Sequence, residues 1–389
     1  MTPFEFATAS RIVFGPGAAA GLAAIARDLG RRALVVIGRS SERAAPIVAA
    51  LRAGGIDVQS FAVTGEPDVQ TIERGRAAAE AASRDLVIGI GGGSVVDAAK
   101  VIAALATNDG PLVRYLELVG QGQPLERPPL PCVAVPTTAG TGSEVTRNAV
   151  IGAPAERVKV SLRHAFLLPR VAIVDPDLTT TLPPAVTAAT GLDALTQLIE
   201  PYVSVRANPM TDAICAEGIR LAATALPAAV ADGGDQRARA SMALASLWSG
   251  MALTNAGLGA VHGFAGPIGG RFPAPHGAIC AALLPHVLQA NLRALEGRAP
   301  DSPARVRLDH VARWLTGRPA AGAADGVEWI RGHVARFGIP SLAAYGVRVG
   351  DVPALVAQAS RASSMKANPI VLTPDELSAI LFEALSVSR

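Results

Sequence analysis

The sequence has few aromatic and few charged residues. Phe, Trp and Tyr make up 4% of the 389 residues and charged residues 17%, whereas hydrophobic residues make up 50%. Disordered chains have few hydrophobic and many charged residues, so the high hydrophobic and low charged fractions argue against disorder and predict a large buried core. The length exceeds the usual size of one domain, which predicts two domains in close contact.

The sequence also lacks a strong excess of positive charge. The formal net charge is +3, and the basic residues are scattered. The densest cluster comprises Arg305, Arg307, Arg313 and Arg318, with Asp309 and His310 among them. This spacing is typical of one solvated helix face, so we predict no nucleic-acid partner.

Cysteine is scarce. Cys132, Cys215 and Cys280 lie far apart, and no CxxC pair occurs. This excludes a disulfide framework, argues against a cysteine-based zinc site, and predicts a reducing, cytoplasmic location. The N-terminal residues MTPFEFATASRIVFGPG lack a charged start followed by an apolar core, so we predict no secretory signal.

One long stretch lacks charge altogether. Residues 241–270 contain no Asp, Glu, Lys or Arg, and this length is sufficient to cross a bilayer. The stretch nevertheless contains Ser, Thr, Asn, His, Pro and seven Gly residues, so it offers no continuous lipid-facing surface. We predict a buried core helix followed by a loop, and no membrane partner.

Short β-rich runs alternate with helical stretches in the first part of the chain. Three runs are typical of buried strands, and VAIVDPDL (171–178) is a further candidate; the three are ALVVIG (33–38), DLVIGI (85–90) and CVAVP (132–136). The segments APIVAALRAGG and TIERGRAAAEAASR between them have helical periodicity. This alternation predicts a parallel sheet covered by helices on both faces.

The pattern changes after Leu182. Pro183 and Pro184 lie where prolines open a helix, and strand-like runs become scarce. We therefore predict a dinucleotide-binding α/β domain over residues 1–180 and an all-α domain over residues 181–389.

A glycine-rich loop follows the run at 85–90. Gly91, Gly92, Gly93 and Ser94 lie between that run and a helical stretch. Glycines allow backbone amides to approach an anion closely, and a helix N-terminus favours negative charge, so a pyrophosphate is the natural occupant. A turn that needs glycine for its shape alone explains the pattern equally well, since it is neither GxGxxG nor GxxxxGK[ST]. Lys100 is expected to be solvated.

A second polar loop, TTAGTGS, follows the run at 132–136. Its hydroxyl groups, which include those of Thr137 and Thr138, can donate hydrogen bonds to a ribose or a nicotinamide amide. Alone it is best explained as an ordinary polar loop. Two such loops after neighbouring strands indicate a ligand site, because open α/β sheets bind ligands there.

Four residues of the second half offer a set of metal ligands. Asp193 and Gln197 lie four residues apart and hence on one helix face, while His262 and His276 lie in unusually apolar surroundings. One carboxylate, one amide oxygen and two imidazoles suit Zn²⁺ or Fe²⁺. Buried structural histidines, with Asp193 as a local cap, are the alternative.

Several motifs occur in the same order as in the iron-containing (group III) alcohol dehydrogenases, which the chain resembles from RIVFGPGA to NPIVLTPDEL. They are GGGSVVDAAK, PTTAGTGSEVTRNAVI, DPDLTTTLPP, GLDALTQLIEPYVS and FPAPHGAICAALLPH. The resemblance implies a dehydroquinate synthase-like fold, an α/β dinucleotide-binding domain followed by a helical domain, with the active site between them. It implies reversible hydride transfer between NAD(P)H and a small alcohol, aldehyde or ketone.

The resemblance also implies roles for particular residues. Those on the pyrophosphate motif are Gly91, Gly92, Gly93, Ser94 and Asp97, and those near the nicotinamide and its ribose are Thr137, Thr138 and Lys159. Those on the four metal-ligand positions are Asp193, Gln197, His262 and His276. His262 and His276 are the predicted catalytic residues, because the metal they hold polarises the carbonyl.

The sequence departs from the family pattern at three places. Gln197 replaces the usual second histidine ligand, and Gly266 replaces a histidine often assigned to proton relay. The end of the second strand carries Gly38, Arg39 and Ser40 instead of the aspartate that often engages an adenosine ribose. We therefore expect weaker or altered metal binding and acceptance of NADPH, with NADH not excluded.

Three alternatives remain at this point. A branch of the superfamily that resembles maleylacetate reductases reduces oxo-acids without a metal. A lyase that resembles dehydroquinate synthase would use the same scaffold, and a nucleotide-binding protein without catalysis would retain only part of it.

The segment FEFATASRIVFG fits either strand pairing across a homodimer or an intrachain hairpin.

Overall fold

The computed structural model of the chain describes residues 3–39 and 41–386. These residues form two compact units, one spanning Ala7–Thr181 and the other comprising residues 3–6 and 182–386. An α/β unit and a helical unit are the combination that the sequence predicts.

The first unit contains all strands of the described chain. They are β1 (Arg11–Phe14), β2 (Arg32–Gly38), β3 (Asp57–Val63), β4 (Leu86–Gly91), β5 (Cys132–Pro136), β6 (Asn148–Ala153), β7 (Val158–Arg163) and β8 (Val171–Val174). Its helices are α1 (Leu22–Leu29), α2 (Ala45–Ala53), α3 (Val69–Ala81) and α4 (Gly93–Leu105). The predicted strands within β2, β4 and β5 are confirmed.

Six strands form a parallel sheet in the order β1-β8-β5-β4-β2-β3. Strand side chains alternate between its faces: Val35 joins a core with α1 and α2, whereas Leu34 and Val36 join a core with α3 and α4. The chain passes from β2 to the outer strand β3 and returns to β4 on the other side of β2. The carboxyl ends of β2 and β4 therefore form the switch point at which such sheets bind nucleotides.

The structure differs from the strand predictions in three respects. β8 ends at Val174 because Pro176 opens a 3₁₀ turn. The edge strand β3, half-exposed and partly polar, and the antiparallel hairpin β6–β7 lack the continuous apolar run used for prediction. β1 pairs in parallel with β8, so the intrachain hairpin expected as one option for this segment is wrong.

The second unit is helical throughout residues 182–386. Its helices are α5 (Pro184–Val203), α6 (Pro209–Ala231), α7 (Gln236–Ala256), α8 (Ala260–Arg271), α9 (His276–Arg298), α10 (Pro303–Thr316), α11 (Ala323–Arg336), α12 (Val352–Ala359) and α13 (Pro374–Leu385). The charge-free stretch 241–270 covers most of α7 and α8. A second helix therefore follows the first where a loop was expected, after Gly257 with φ 75° ends α7.

Two helices of the second unit are long and apolar enough to cross a membrane by length and composition, namely α6 and α9. The most apolar window of α9 is 78% buried within the protein and that of α6 is 39% buried. Core helices of soluble proteins pass the same test, so this finding is weak evidence for a membrane span.

Candidate functional site

Three helices of the second unit bring a cluster of metal-binding side chains together. α5 carries Asp193, and α8 carries His262 in its first turn. α9 begins at His276 and carries Cys280 one turn later. One ligand atom from each of these four residues lies within 4.8 Å of every other. Three of the predicted ligands therefore lie together with a cysteine. The fourth, Gln197, lies one turn after Asp193 on the same helix.

The distances within this cluster suit a cation. The Asp193 Oδ1 atom lies 3.5 Å from His262 Nε2 and 3.7 Å from His276 Nε2. Metal bonds of about 2.0–2.1 Å at tetrahedral angles place an oxygen and a nitrogen donor about 3.4 Å apart. The observed separations are close to that value and too long for hydrogen bonds.

Asp193 supplies an independent test of fit. Its side chain is 1% exposed, and its Oδ1 atom has no hydrogen-bond partner among the described residues. A buried carboxylate oxygen without a partner is costly unless a ligand satisfies it. The residues present therefore fit a divalent cation.

Glu200 fixes the orientation of His262, and sequence reasoning missed it. Its Oε2 atom lies 2.7 Å from His262 Nδ1, and its Oε1 atom accepts a 2.8 Å hydrogen bond from the backbone amide of Val261. The carboxylate thus holds Nδ1 and leaves Nε2 directed at Asp193. Contacts of this kind set the tautomer and orientation of metal-binding histidines. The signal in the sequence is spacing, since Glu200 lies seven residues after Asp193 on α5.

The start of α8 is shaped around this carboxylate. A Cβ atom at Gly259 would lie 2.8 Å from Glu200 Oε1 and 2.9 Å from Asn368 Oδ1. Asn368 Oδ1 also accepts a hydrogen bond from the backbone amide of Ala260. Two side-chain oxygens therefore satisfy the first amides of α8, and glycine at 259 lets them approach.

The side chains around His262 and His276 stabilise the protonated form of both rings, so protons compete with a metal ion for the ring nitrogens. Burial disfavours the imidazolium of His276, but the nearby Cys280 and Asp193 side chains raise its pKa to about 9. Burial likewise opposes charge on His262, yet Cys280, Glu200 and Asp193 raise its pKa well above the usual value. Burial alone would raise the pKa of Asp193, but the two histidines lower it by more, so the pKa lies below its usual value. A cation takes the place of these protons, so its binding should tighten as pH rises.

Gln197 lies one turn after Asp193 on α5 and is 2% exposed. Its Oε1 atom lies 3.2 Å from the hydroxyl oxygen of Ser249.

Cys280 is not predicted as a ligand from the sequence, because its thiol has no CxxC partner. The signal that reveals it is its position four residues after His276, which repeats the spacing of Asp193 and Gln197.

Replacing Glu200 with glutamine should weaken zinc binding about 10- to 100-fold, the usual effect of losing such a partner. The amide can still accept from Val261, but its NH₂ group then faces His262 Nδ1 and removes the acceptor that orients the ring. Competition with a chromogenic chelator measures the affinity. Glu217→Gln is the matched control, because Glu217 is exposed on α6. An affinity equal to that of the unchanged protein would show that Glu200 does not position His262.

The predicted nucleotide loops lie at the switch point of the sheet in the first unit. Ile37 pairs with Ile90, so Gly38 and Gly91 end neighbouring strands at the same edge. Gly92 precedes α4, and Gly93 and Ser94 begin it. The first amides of a helix have no carbonyl partner within it, so they can bind an anion.

Packing accounts for part of this glycine run. A Cβ atom at Gly91 would lie 2.6 Å from Val95 Cγ2, and one at Gly93 would lie 2.7 Å from Thr141 Cγ2. At Gly92 the nearest atom, Thr138 Cγ2, would be 3.4 Å away. Gly91 and Gly93 thus permit close approach of α4 and of the second loop. The structure brings the two predicted loops into contact.

Asp97 and Lys100 are buried on α4, so the expectation that Lys100 is solvated is wrong. The Lys100 ammonium lies 3.0 Å from Ser143 O, 2.9 Å from Thr146 Oγ1 and 2.5 Å from Asn148 O. Asp97 accepts hydrogen bonds from Ser143 Oγ and from the backbone amide of Val150, the latter at 2.9 Å, and lies 3.3 Å from the ammonium. One carboxylate oxygen of this predicted pyrophosphate residue therefore has a partner in the last residue of the second loop, and the other has a partner in β6.

The remaining predicted cofactor residues have different surroundings. Thr137 is buried, and its amide donates to Gly91 O at 2.8 Å. Lys159 on β7 forms an ion pair with Glu66 at 2.5 Å. Arg39 is exposed just after β2, and Ser40 lies outside the described residues.

Known proteins resemble this chain over both units. A family model described as iron-containing alcohol dehydrogenase matches residues 9–176, and one described as the C-terminal part of the Fe-containing alcohol dehydrogenase family matches residues 187–385. The crystal structure of a 1,3-propanediol oxidoreductase is 35% identical, with a TM-score of 0.89, and covers 98% of this chain and 100% of its own.

Curated relatives give the same result. The chain is 35% identical over 397 residues to an NAD-dependent methanol dehydrogenase of Bacillus methanolicus, covering 99% of this chain and 100% of that protein. It is 46% identical over 256 residues to long-chain-alcohol dehydrogenase 1 of Geobacillus thermodenitrificans. That second match spans 66% of this chain and 63% of the relative, which is less than two thirds of its length.

Proposed function

Since the chain belongs to the iron-containing alcohol dehydrogenase family, we propose that it interconverts a small alcohol with its aldehyde or ketone at a metal held by Asp193, His262 and His276. It is an oxidoreductase that uses a nicotinamide cofactor. The observation that carries the metal assignment is the buried Asp193 Oδ1 atom, which accepts no hydrogen bond among the described residues and faces two imidazole nitrogens.

The residues of the cluster have distinct tasks. Asp193 supplies the negative charge, and His262 and His276 supply neutral nitrogens once their protons have left. Glu200 keeps His262 in the orientation that binding needs. The chemistry that a bound divalent cation supplies is polarisation of the substrate carbonyl oxygen, and that of the nicotinamide is donation or acceptance of the hydride.

The first unit holds the dinucleotide in this proposal. The amides of Gly93 and Ser94 at the start of α4 bind the pyrophosphate, and Gly92 leaves room for its approach. Thr137 and Thr138 follow β5 beside this loop and offer hydroxyls to the ribose or the nicotinamide amide. Asp97 contributes by fixing the end of the second loop and the strand that follows it, since its two carboxylate oxygens accept hydrogen bonds from Ser143 and Val150.

The alternatives raised by the sequence are not favoured. Metal-free reduction of an oxo-acid requires no cluster such as that around Asp193. The named relatives are alcohol dehydrogenases, a methanol dehydrogenase and propanediol dehydrogenases, which favours alcohol oxidation over a lyase reaction. Homodimer formation and a cytoplasmic location stay predictions.

Metal content and turnover test the proposed function together. We expect about one equivalent of zinc or iron per chain by plasma mass spectrometry. Oxidation of NADPH or NADH with a short aldehyde should be lost after chelation and recover when metal is added back. Full turnover by a protein freed of metal would contradict the metal-assisted reaction.

We propose that Arg39 makes NADPH the preferred cofactor, because its exposed guanidinium follows β2 where a 2′-phosphate would lie. Replacing Arg39 with alanine should lower kcat/KM for NADPH about 10- to 100-fold, the value of a charge-assisted hydrogen bond, and leave the value for NADH unchanged. Arg52→Ala, at an exposed position on α2, is the control. Equal losses with both cofactors would rule out this role for Arg39.

A further inference from the structure

We propose that Cys280, and not Gln197, supplies the fourth protein ligand of the metal centre, and that its thiolate makes the centre selective for Zn²⁺. The inference rests on the proposed function, because it concerns the same ion. It assigns a ligand that the family pattern places elsewhere, and it predicts a spectroscopic signature that activity alone does not reveal.

Cys280 lies on α9 four residues after His276, so both side chains lie on one face of the helix. Its sulfur lies 3.6 Å from His276 Nε2 and 3.8 Å from His262 Nε2. The thiol therefore lies against the two nitrogens that face the Asp193 Oδ1 atom.

These separations, which also allow thiol hydrogen bonds, match those of two donors on one shared ion. A zinc–sulfur bond of about 2.3 Å and a zinc–nitrogen bond of about 2.0–2.1 Å place the two donors about 3.6 Å apart at the tetrahedral angle. Both observed sulfur–nitrogen distances lie close to that value. The oxygen–nitrogen and sulfur–nitrogen distances are thus close to those of one four-ligand zinc site, and all four ligand atoms lie within 4.8 Å of one another.

Gln197 is the weaker candidate for the same position. Its amide oxygen lies 3.2 Å from Ser249 Oγ, a hydroxyl that also donates to Ser246 O at 2.8 Å. An amide oxygen is also neutral and a poor ligand for a borderline ion, whereas a thiolate is anionic and soft. Replacement of the usual histidine by Gln197 therefore need not empty the centre, because Cys280 supplies a stronger donor from α9.

A thiolate ligand affects which metal ion the centre prefers. When zinc binds, the Cys280 thiol gives up its proton to solvent and the sulfur lone pair forms the metal bond. Thiolate ligands favour Zn²⁺ over ions that prefer oxygen, and zinc already exceeds ferrous iron in the general affinity order. We therefore expect the purified protein to retain zinc in preference to iron.

Cobalt substitution tests the ligand directly. We expect the metal-stripped full-length protein, reloaded with one equivalent of Co²⁺, to show an intense near-ultraviolet charge-transfer band, which a cobalt–sulfur bond produces and a cobalt–amide bond does not. The band should persist in Gln197→Ala and disappear in Cys280→Ala. Cys215→Ala is the matched thiol control, because Cys215 is buried on α6 outside the cluster. Zinc affinity should fall more in Cys280→Ala than in Gln197→Ala.

The outcomes separate this inference from the proposed function. Cobalt bound at one equivalent without the band in the unchanged protein overturns the role of Cys280 and leaves a metal centre on the other residues. A band that is lost in Gln197→Ala and kept in Cys280→Ala overturns it as well. Failure to bind any divalent ion, together with metal-free turnover, contradicts the proposed function itself. The unchanged protein decides the question even where Cys280→Ala does not fold.

Discussion

Replacing Asp193 with asparagine should remove the bound metal and lower turnover about 10³-fold or more, while nucleotide binding stays unchanged. The amide keeps the shape of the side chain, but it removes the charge that faces His262 and His276. Loss of a Lewis acid costs several kcal/mol of transition-state stabilisation, which gives this magnitude. Metal analysis, steady-state kinetics and NADPH fluorescence titration measure the three quantities.

The unchanged nucleotide affinity is the discriminating part of this prediction. The loops proposed for the dinucleotide belong to the unit spanning Ala7–Thr181, whereas Asp193 belongs to the helical unit. A parallel loss of nucleotide binding would indicate general unfolding rather than loss of an ion. Asp301→Asn removes an exposed carboxylate and serves as control. An Asp193→Asn protein that turns over at full rate without metal would eliminate the metal-assisted reaction.

Strands were predictable from the sequence where both of their faces are buried. β2, β4 and β5 are buried on both faces, so each appears in the sequence as a continuous apolar run. β3 lies at the edge of the sheet and alternates with polar residues, and the β6–β7 hairpin packs one face only. Strands of this kind give no such run, and their pairing depends on contacts distant in sequence.

The candidate metal centre was predictable in part for a related reason. Asp193, His262 and His276 belong to residue types that bind metals, and the structure brings all three together. Cys280 has no CxxC partner and therefore gives no zinc signal in the sequence, whereas in the structure it lies beside two histidines and an aspartate. Glu200 was missed because its partner, His262, lies 62 residues away in sequence. Only tertiary packing places such a carboxylate beside its imidazole.

Lys100 is the residue for which sequence reasoning was furthest from the structure. A lysine at the seventh position after Gly93 has no pattern that separates a buried from a solvated side chain, and lysine is seldom fully buried. Here the side chain is 0% exposed because the segment 143–148 folds over it and supplies the oxygens that an ammonium needs. Burial lowers the pKa of Lys100, and the neighbouring Asp97 carboxylate opposes that shift.

Glu144 in the same segment is also buried, and burial raises the pKa of its carboxyl to about 7, with Lys100 opposing the rise. The protonated form thus coexists with the ionised form near neutral pH. Lys100 and Asp97 therefore hold together a segment that contains several buried polar groups and directly follows the loop proposed to contact the nicotinamide.

Replacing Lys100 with methionine should destabilise the first unit by about 3–5 kcal/mol, because it leaves the buried Asp97 carboxylate without its cation and removes one donor from several backbone carbonyls. For a unit of this size the midpoint of thermal unfolding should fall on the order of 10 °C, measured by calorimetry. Lys366→Met is the matched control, since Lys366 is exposed. The double variant Lys100→Met with Asp97→Asn should recover part of the loss, because it removes the uncompensated charge. If Lys100→Met unfolds at the same temperature as Lys366→Met, the ammonium does not hold the 143–148 segment. The close packing at Gly91 and Gly93 would then be what holds α4 against the second nucleotide loop.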